Sequence, residues 1–289
     1  MKEVLPSAVG GDGAGQRGID TMRWVATVFF ILLPGLAWAD GAPTFYPDAR
    51  TGCRVGTFLS QPQLTVQWNG PCVDGKAQGR GIAEWSSAGK LAKRIEGEYR
   101  AGLSEGRAIL TDDEKNRWEQ EMRAGEANGR CIYIGADGMR FDGTCRNSNR
   151  NGPGKSLFAD GDRYVGEYRN DKFNGHGVYV WKDGQIYEGD FVNGESAGHG
   201  KQVWPSGDWY EGDWIADKYN GQGVRVWSDG AFYQGNFKNG LPEGLGEYVG
   251  ISQNGNANVW TGQWRQGCLS TQDGMTAAVG KSRAECGFD

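Results

Sequence analysis

Only two histidines occur in the chain, His176 and His199, and they lie 23 residues apart in the similar strings NGHG and AGHG. Imidazole nitrogens bind zinc at about 2 Å, so two histidines at equivalent places could begin a metal site. Successive two-stranded units advance by roughly 9–10 Å, however, which keeps such side chains apart. The chain also contains no CxxC pair. We therefore interpret both histidines as exposed turn residues and predict no metal site.

Acidic residues recur at the same spacing or its multiples, so paired carboxylates must be considered. Glycoside hydrolases use two carboxyl groups about 5–10 Å apart. A shared period more simply indicates one solvated face, and the chain lacks a complete G-x-x-x-x-G-K-S/T phosphate-binding motif. We predict no catalytic residue and no cofactor, with a carboxylate-based hydrolase as an open alternative. The recurring acids are Glu98, Glu121, Glu167, Asp190 and Asp213.

Six cysteines all follow residue 39. An even number of cysteines in an exported chain indicates disulfides. Other pairings are possible, but the spacing favours three local pairs, which are Cys53–Cys72, Cys131–Cys145 and Cys268–Cys286. We expect the two outer pairs to stabilise the segments that flank a repeat array.

Aromatic rings are the last group of candidate binding residues. Rings that recur with the repeat most simply stack between hairpins and form the core. Alternatively, one row stays exposed and binds sugar rings, lipid headgroups or a protein surface. The candidates for such a surface are Tyr164, Tyr187, Tyr210, Tyr233, Trp181, Trp204 and Trp227.

The element that positions these residues is a repeat of 23 residues that begins at each tyrosine, for example YEGDFVNGESAGHGKQVWPSGDW. With the tyrosine as position 1, positions 1–7 and 14–19 alternate in polarity and predict two strands. Positions 8–13 have a turn composition, and Asp-Gly or Ser-Gly at positions 20 and 21 predicts a type I′ turn. Glycines at positions 3 and 14 leave space for an aromatic ring over the backbone.

The period extends over eight units and a final half-unit, from Trp68 to about Cys268. One stretch, Thr111 to Ala124, contains a helix capping box and strong helix formers. Because the downstream glycines keep the register, we predict a strand at Trp118. A short helix there is the alternative.

These strings resemble the MORN repeat, with the pattern Y-x-G-x-[FYW]-x-x-G-x-x-x-G-x-G. The units at Tyr164, Tyr187 and Tyr210 match closely, and the unit at Tyr233 nearly so. The resemblance implies an all-β fold, an elongated single-layer twisted antiparallel meander of tandem hairpins. It also implies scaffolding, dimerisation or membrane association, with any enzymatic activity located in a separate domain.

The N-terminal region predicts export. Residues 22–39 combine Arg23, an apolar core and an A-x-A site ending at Ala39, which is typical of a cleaved signal peptide. We therefore divide the chain into an extension (1–21), a signal peptide (22–39), an N-terminal cap (40–67), the array (68–268) and a disulfide-tied C-terminal cap (269–289).

The net charge of −5 argues against nucleic acid as a partner. We expect a periplasmic or secreted, non-enzymatic scaffold that presents an extended β-surface to a protein or a membrane-associated partner. A homodimer is possible. The main alternative is a glycan- or peptidoglycan-binding module that uses an exposed aromatic row.

Overall fold

The computed structural model describes residues 37–38, 41–252, 254–270 and 276–287. The predicted extension and nearly all of the predicted signal peptide lie outside these residues. The chain forms two compact units: the N-terminal unit ends at Lys172, and the C-terminal unit begins at Phe173.

The N-terminal unit consists of β-strands. From β8 to β15 consecutive strands pair antiparallel, and β5 pairs with β8. The strands are β1 (Ala37–Trp38), β2 (Thr44–Pro47), β3 (Arg54–Thr57), β4 (Leu59–Ser60), β5 (Leu64–Trp68), β6 (Cys72–Val73), β7 (Lys76–Ala77), β8 (Gly79–Ser87), β9 (Lys90–Arg100), β10 (Leu103–Asp112), β11 (Arg117–Arg123), β12 (Glu126–Ile134), β13 (Arg140–Arg146), β14 (Asn149–Leu157) and β15 (Arg163–Arg169).

The C-terminal unit continues the pattern, and its strands also pair antiparallel in chain order. They are β16 (Lys172–Val180), β17 (Ile186–Val192), β18 (Glu195–Val203), β19 (Trp209–Ile215), β20 (Lys218–Val226), β21 (Phe232–Lys238), β22 (Leu241–Ile251), β23 (Ala257–Arg265), β24 (Cys268–Ser270) and β25 (Thr276–Ala278), before a short 3-10 helix, Ala284–Cys286.

The prediction of an all-β meander of tandem hairpins is confirmed. The strand predicted at Trp118 is present as β11, so the alternative of a helix between Thr111 and Ala124 is wrong. Pairing of that segment with both neighbouring strands outweighs its local helix propensity.

The two turns of each repeat differ from the predicted ones. A two-residue type I′ turn lies at positions 7 and 8, where Asn193 and Gly194 both have positive φ. At Asp183-Gly184, where we expected that turn, only the glycine has positive φ (92°). Gly184 closes a four-residue turn by donating to the Trp181 carbonyl oxygen, and the Asp183 carboxylate accepts the Gln185 amide at 3.0 Å. The aspartate therefore stabilises the turn through its side chain and needs no left-handed backbone.

Tyrosine rings lie over the paired glycines, as the spacing predicted. Gly189 is directly opposite Gly200, and a Cβ added to Gly200 would overlap the Tyr187 ring. The Tyr187 hydroxyl donates to the Asp190 carbonyl oxygen at 3.0 Å. The ring also meets Phe191 edge-to-face, with 5.1 Å between centroids. Each repeat thus buries its tyrosine on one face and satisfies its hydroxyl.

Three disulfides join the cysteines in the pairs that the spacing favours, which are Cys53–Cys72, Cys131–Cys145 and Cys268–Cys286. Cys131 and Cys145 lie on the neighbouring strands β12 and β13, with Cα atoms 5.8 Å apart. Each of the other two pairs joins a flanking segment, through Cys53 or Cys286, to an end of the predicted array, at Cys72 or Cys268.

A buried carboxylate organises the N-terminal cap. Asp48 is 1% exposed, and it accepts hydrogen bonds from the Trp68 amide at 2.6 Å and the Arg50 amide at 2.8 Å. Burial alone raises the pKa of this carboxyl group, but the hydrogen bonds from Trp68, Arg50 and Thr51 hold its pKa well below the ordinary value. The ionised carboxylate therefore ties the loop after β2 to β5.

Replacing Gly200 by alanine tests the contact between the tyrosine and the glycines. We expect Gly200→Ala to lower the free energy of unfolding by about 1–3 kcal/mol, because the new methyl group displaces the Tyr187 ring. Urea denaturation measures the change. His199→Ala, at the neighbouring exposed side chain, should be nearly neutral. Equal stability of the Gly200→Ala variant and the wild type would contradict this packing.

Candidate binding surface

The two histidines lie in strands and not in turns, which corrects that expectation. His176 is opposite Asp190, and His199 Nδ1 is 3.5 Å from Asp213 Oδ1 on the exposed face. A β-bulge near position 12 extends the second strand beyond the point where its Gly-rich composition indicated a turn. Among the described residues, no cluster of three or more His, Cys, Asp or Glu side chains could hold a metal ion.

The recurring acids stabilise these bulges. Glu121 Oε2 accepts the Arg130 amide at 3.1 Å, and Asp213 Oδ2 accepts the Gln222 amide at 3.1 Å. The glycine before each amide has positive φ, 66° at Gly221, and its missing side chain leaves space for the carboxylate. For Glu121 and Asp213, the recurrence therefore follows from the same backbone contact in two repeats.

Two G-x-S-x-G strings, at residues 102–106 and 194–198, match the pattern of a hydrolase nucleophile. That motif places its serine at an exposed strand-to-helix turn. Here Ser104 and Ser196 are buried in strands, and Ser196 Oγ donates to Asp217 Oδ1 at 3.0 Å. Neither serine is placed as a nucleophile.

The aromatic candidates are mostly part of the core. Six of them are buried, and Trp227 is half-buried. Tyr210 stacks on Tyr219 with 3.7 Å between centroids, and the Arg225 guanidinium lies 3.9 Å from the centre of the Trp204 ring. The buried rings are Tyr164, Tyr187, Tyr210, Tyr233, Trp181 and Trp204.

The opposite face of the C-terminal unit carries a continuous row of apolar side chains, which we call the apolar lane. Each member is the direct cross-strand partner of the next, from β16 to β23. All are half-buried or exposed, and Ile186 and Val259 are 39% and 53% exposed. The lane consists of Val180, Ile186, Val203, Trp209, Val226, Phe232, Val249 and Val259.

The same row of the N-terminal unit has a different character, and we call it the arginine lane. Arginines replace the large apolar residues at every second strand, at the 23-residue period. Some are paired, such as Arg94 with Glu96 at 3.2 Å and Arg117 with Glu119 at 3.0 Å. The lane consists of Glu84, Arg94, Thr111, Arg117, Ile134, Arg140, Leu157 and Arg163.

Sequence reasoning missed both lanes, although a signal was present at position 23 of the repeat. That position reads Arg94, Arg117, Arg140, Arg163, Ile186, Trp209 and Phe232. Residue types that recur mark what every repeat requires, whereas at position 23 the type changes from one unit to the other.

A buried lysine was also missed. Lys93 is 4% exposed, and its Nζ lies 4.7 Å from the centre of the Trp118 ring. Burial lowers the pKa of Lys93 to about 8, and the negative charge of Asp112 partly opposes this shift. A lysine that is neutral near pH 8 can act as a nucleophile. Because Lys93 is enclosed, no substrate can reach it, and its lowered pKa affects the stability of the fold.

These features define a protein of tandem β-hairpin repeats with one core face and one exposed face. The profile of the MORN repeat matches six tandem copies, at residues 121–140, 141–163, 164–186, 187–209, 210–232 and 233–254. The chain therefore contains a MORN-repeat array.

Solved structures with a similar chain path include the TCP10 domain of Danio rerio CPAP. It is 13% identical with a TM-score of 0.32, and the match covers 70% of this chain and 93% of that chain. The TCP domain of SAS-4 from Drosophila melanogaster, solved with a proline-rich motif of Ana2, is 12% identical with a TM-score of 0.32. That match covers 53% of this chain and 83% of that chain. At such TM-scores neither structure informs the function. No curated protein matches the chain.

Lys93 should make stability depend on pH. The folded state releases the proton near pH 8, whereas the unfolded lysine keeps it until about pH 10.4. Since the unfolded state then binds more protons, stability should rise by roughly 1–2 kcal/mol between pH 8 and 9.5. Denaturant unfolding across this range measures the slope. Lys93→Met should flatten it, whereas Lys155→Met, at an exposed lysine, should not. A flat profile in the wild type would exclude this assignment.

Proposed function

We propose that this chain is a non-enzymatic, exported MORN-repeat scaffold that binds a protein partner through the apolar lane. The observation that carries the proposal is the continuity of the lane across β16 to β23. At about 4.8 Å per strand, the row extends over roughly 34 Å. Contiguous exposed apolar rows of this kind are typical of interaction surfaces.

The contrast with the arginine lane supports this location. Both lanes occupy the same row of the same repeat, so folding alone does not require apolar residues there. Ile186, Trp209 and Phe232 replace the arginines only in the C-terminal unit. A requirement imposed by a partner explains the difference.

Export rests on two observations. Residues 22–39 have the composition of a signal peptide, and three disulfides are compatible with an oxidising compartment. Among the described residues, no helix is long and apolar enough to cross a membrane. The partner would then be a component of the cell envelope or of the secreted milieu.

Arginine substitutions give the apolar lane the positive charge that the arginine lane has. We expect Trp209→Arg combined with Phe232→Arg to reduce capture of the partner in the native compartment by at least about tenfold, because two charges enter the apolar contact. Proximity labelling with quantitative mass spectrometry measures the loss. Folding should be retained, since the equivalent Arg140 and Arg163 are accommodated in the N-terminal unit.

Ile215→Arg is the matched control, because Ile215 is an exposed apolar residue at the opposite end of β19 from Trp209, and it should leave the labelled proteins unchanged. If the double variant labels the same proteins at the same level, the apolar lane is not the binding surface. If it loses only cell-wall glycan binding, the glycan alternative replaces the protein partner.

A further inference from the structure

The apolar lane is bordered by negative charge on the side of the strand centres. Three glutamates lie on the same face as the lane, each two residues along its strand from a lane residue. They are Glu188 beside Ile186, Glu211 beside Trp209 and Glu247 beside Val249, and we call them the acidic border. The next row on this face adds Asp190 and Asp213. The border therefore repels an acidic partner and attracts a basic one.

The other side of the lane is formed by the turns between strands. Asp183 and Asp229 are exposed there, next to Lys182. Acidic groups thus lie on both sides of the apolar row, and on the turn side Lys182 offsets part of their charge.

Lys201, the principal cation in the row of the acidic border, already forms an ion pair with a member of that border. Lys201 Nζ is 2.9 Å from Glu211 Oε2 and 4.6 Å from the centre of the Trp209 ring. The repeat that follows places Val224 where Lys201 stands, so the Phe232 ring has no equivalent lysine over it. The contact between Lys201 and Trp209 shows how a cation binds an aromatic ring of this lane.

Spacing distinguishes a helix from an extended segment. Neighbouring strands are about 4.8 Å apart, and an α-helix presents one side chain per turn on one face, every 5.4 Å or so. An extended chain presents side chains on one face only every 6.6–6.8 Å or so, which does not match the strands. The row from Ile186 to Phe232 crosses five strands, roughly 19 Å, which corresponds to about 13 helical residues.

We propose that the apolar lane binds a basic amphipathic helix of a partner protein, lying across the strands with Lys or Arg residues on both sides of its apolar stripe. This inference rests on the proposed function and specifies its partner. The apolar stripe contacts Ile186, Trp209 and Phe232, while the flanking cations face Glu188 and Glu211 on one side and Asp183 on the other.

The test uses synthetic probes and the full chain. The first probe is an 18-residue peptide, stapled as a helix, with leucines on one face and lysines on both flanks. The second carries glutamates in place of the lysines, and the third has the leucines and lysines rearranged to alternate as in a strand. Fluorescence anisotropy gives the affinity of each peptide at low and high salt.

We expect only the lysine-flanked helix to bind and its affinity to fall by about tenfold or more at high salt. Glu188→Lys combined with Glu211→Lys should weaken binding by a similar factor. Glu98→Lys, at an exposed position of the N-terminal unit, should not. Trp209→Ser should weaken binding by about tenfold or more without changing the net charge, which separates contact with the lane from general attraction to an acidic protein.

Equal binding of the lysine and glutamate helices, or tighter binding of the strand-like peptide, would overturn the helix assignment. So would sedimentation showing that a second copy of the chain occupies the lane and that Trp209→Arg disrupts this dimer. If capture of the native partner depends on Trp209 and Phe232 while charge reversal has no effect, the proposed function stands and this inference falls. If capture is independent of Trp209 and Phe232, both fail.

Discussion

The contact between a tyrosine ring and a pair of glycines is the interaction on which the array depends. Gly189 and Gly200 lie opposite each other, and the Tyr187 ring fills the space that two side chains would occupy. A sheet strand alternates its side chains between two faces, so the position of one ring decides the face of every other residue in the hairpin. Because the contact repeats every 23 residues, the sheet acquires one aromatic face and one exposed face without a second layer.

This arrangement has an entropic cost, since glycines lose more conformational freedom on folding than other residues. Burial of aromatic area and hydrogen bonds to the tyrosine hydroxyls offset this entropic cost. At Tyr233 the hydroxyl donates to the Asn236 carbonyl oxygen, and burial raises its pKa to about 12. In one degenerate repeat, Cys131 occupies the place of a position-14 glycine, opposite Gly143. There the disulfide with Cys145 supplies a covalent link between strands in a repeat that departs from the pattern.

Much of the fold followed from the period alone. The spacing of the tyrosines and glycines predicted the hairpins and the ring over the glycine pair, and local spacing favoured the cysteine pairs that the structure contains. The turns were harder, because Asn193-Gly194 and Asp183-Gly184 have similar compositions and adopt different backbones. In the folded chain Asn193 has positive φ, whereas the Asp183 carboxylate accepts the Gln185 amide, and the two compositions do not specify this difference. The histidines were misplaced because the bulge at Gly198 and His199 adds two residues to the strand.

The candidate surface was missed for a different physical reason. Residues that recur from repeat to repeat are those that the hairpin itself requires. In this chain they are the tyrosines, the glycines and the recurring acids. A partner contacts only part of an array, so the residues it requires are those that depart from the period. Position 23 fulfils this condition, since the backbone accepts Arg163 in one unit and Trp209 in the other at the same place in the sheet. In a repeat protein of this kind, the side chains that break the pattern on the exposed face are therefore the better guide to function than those that form it.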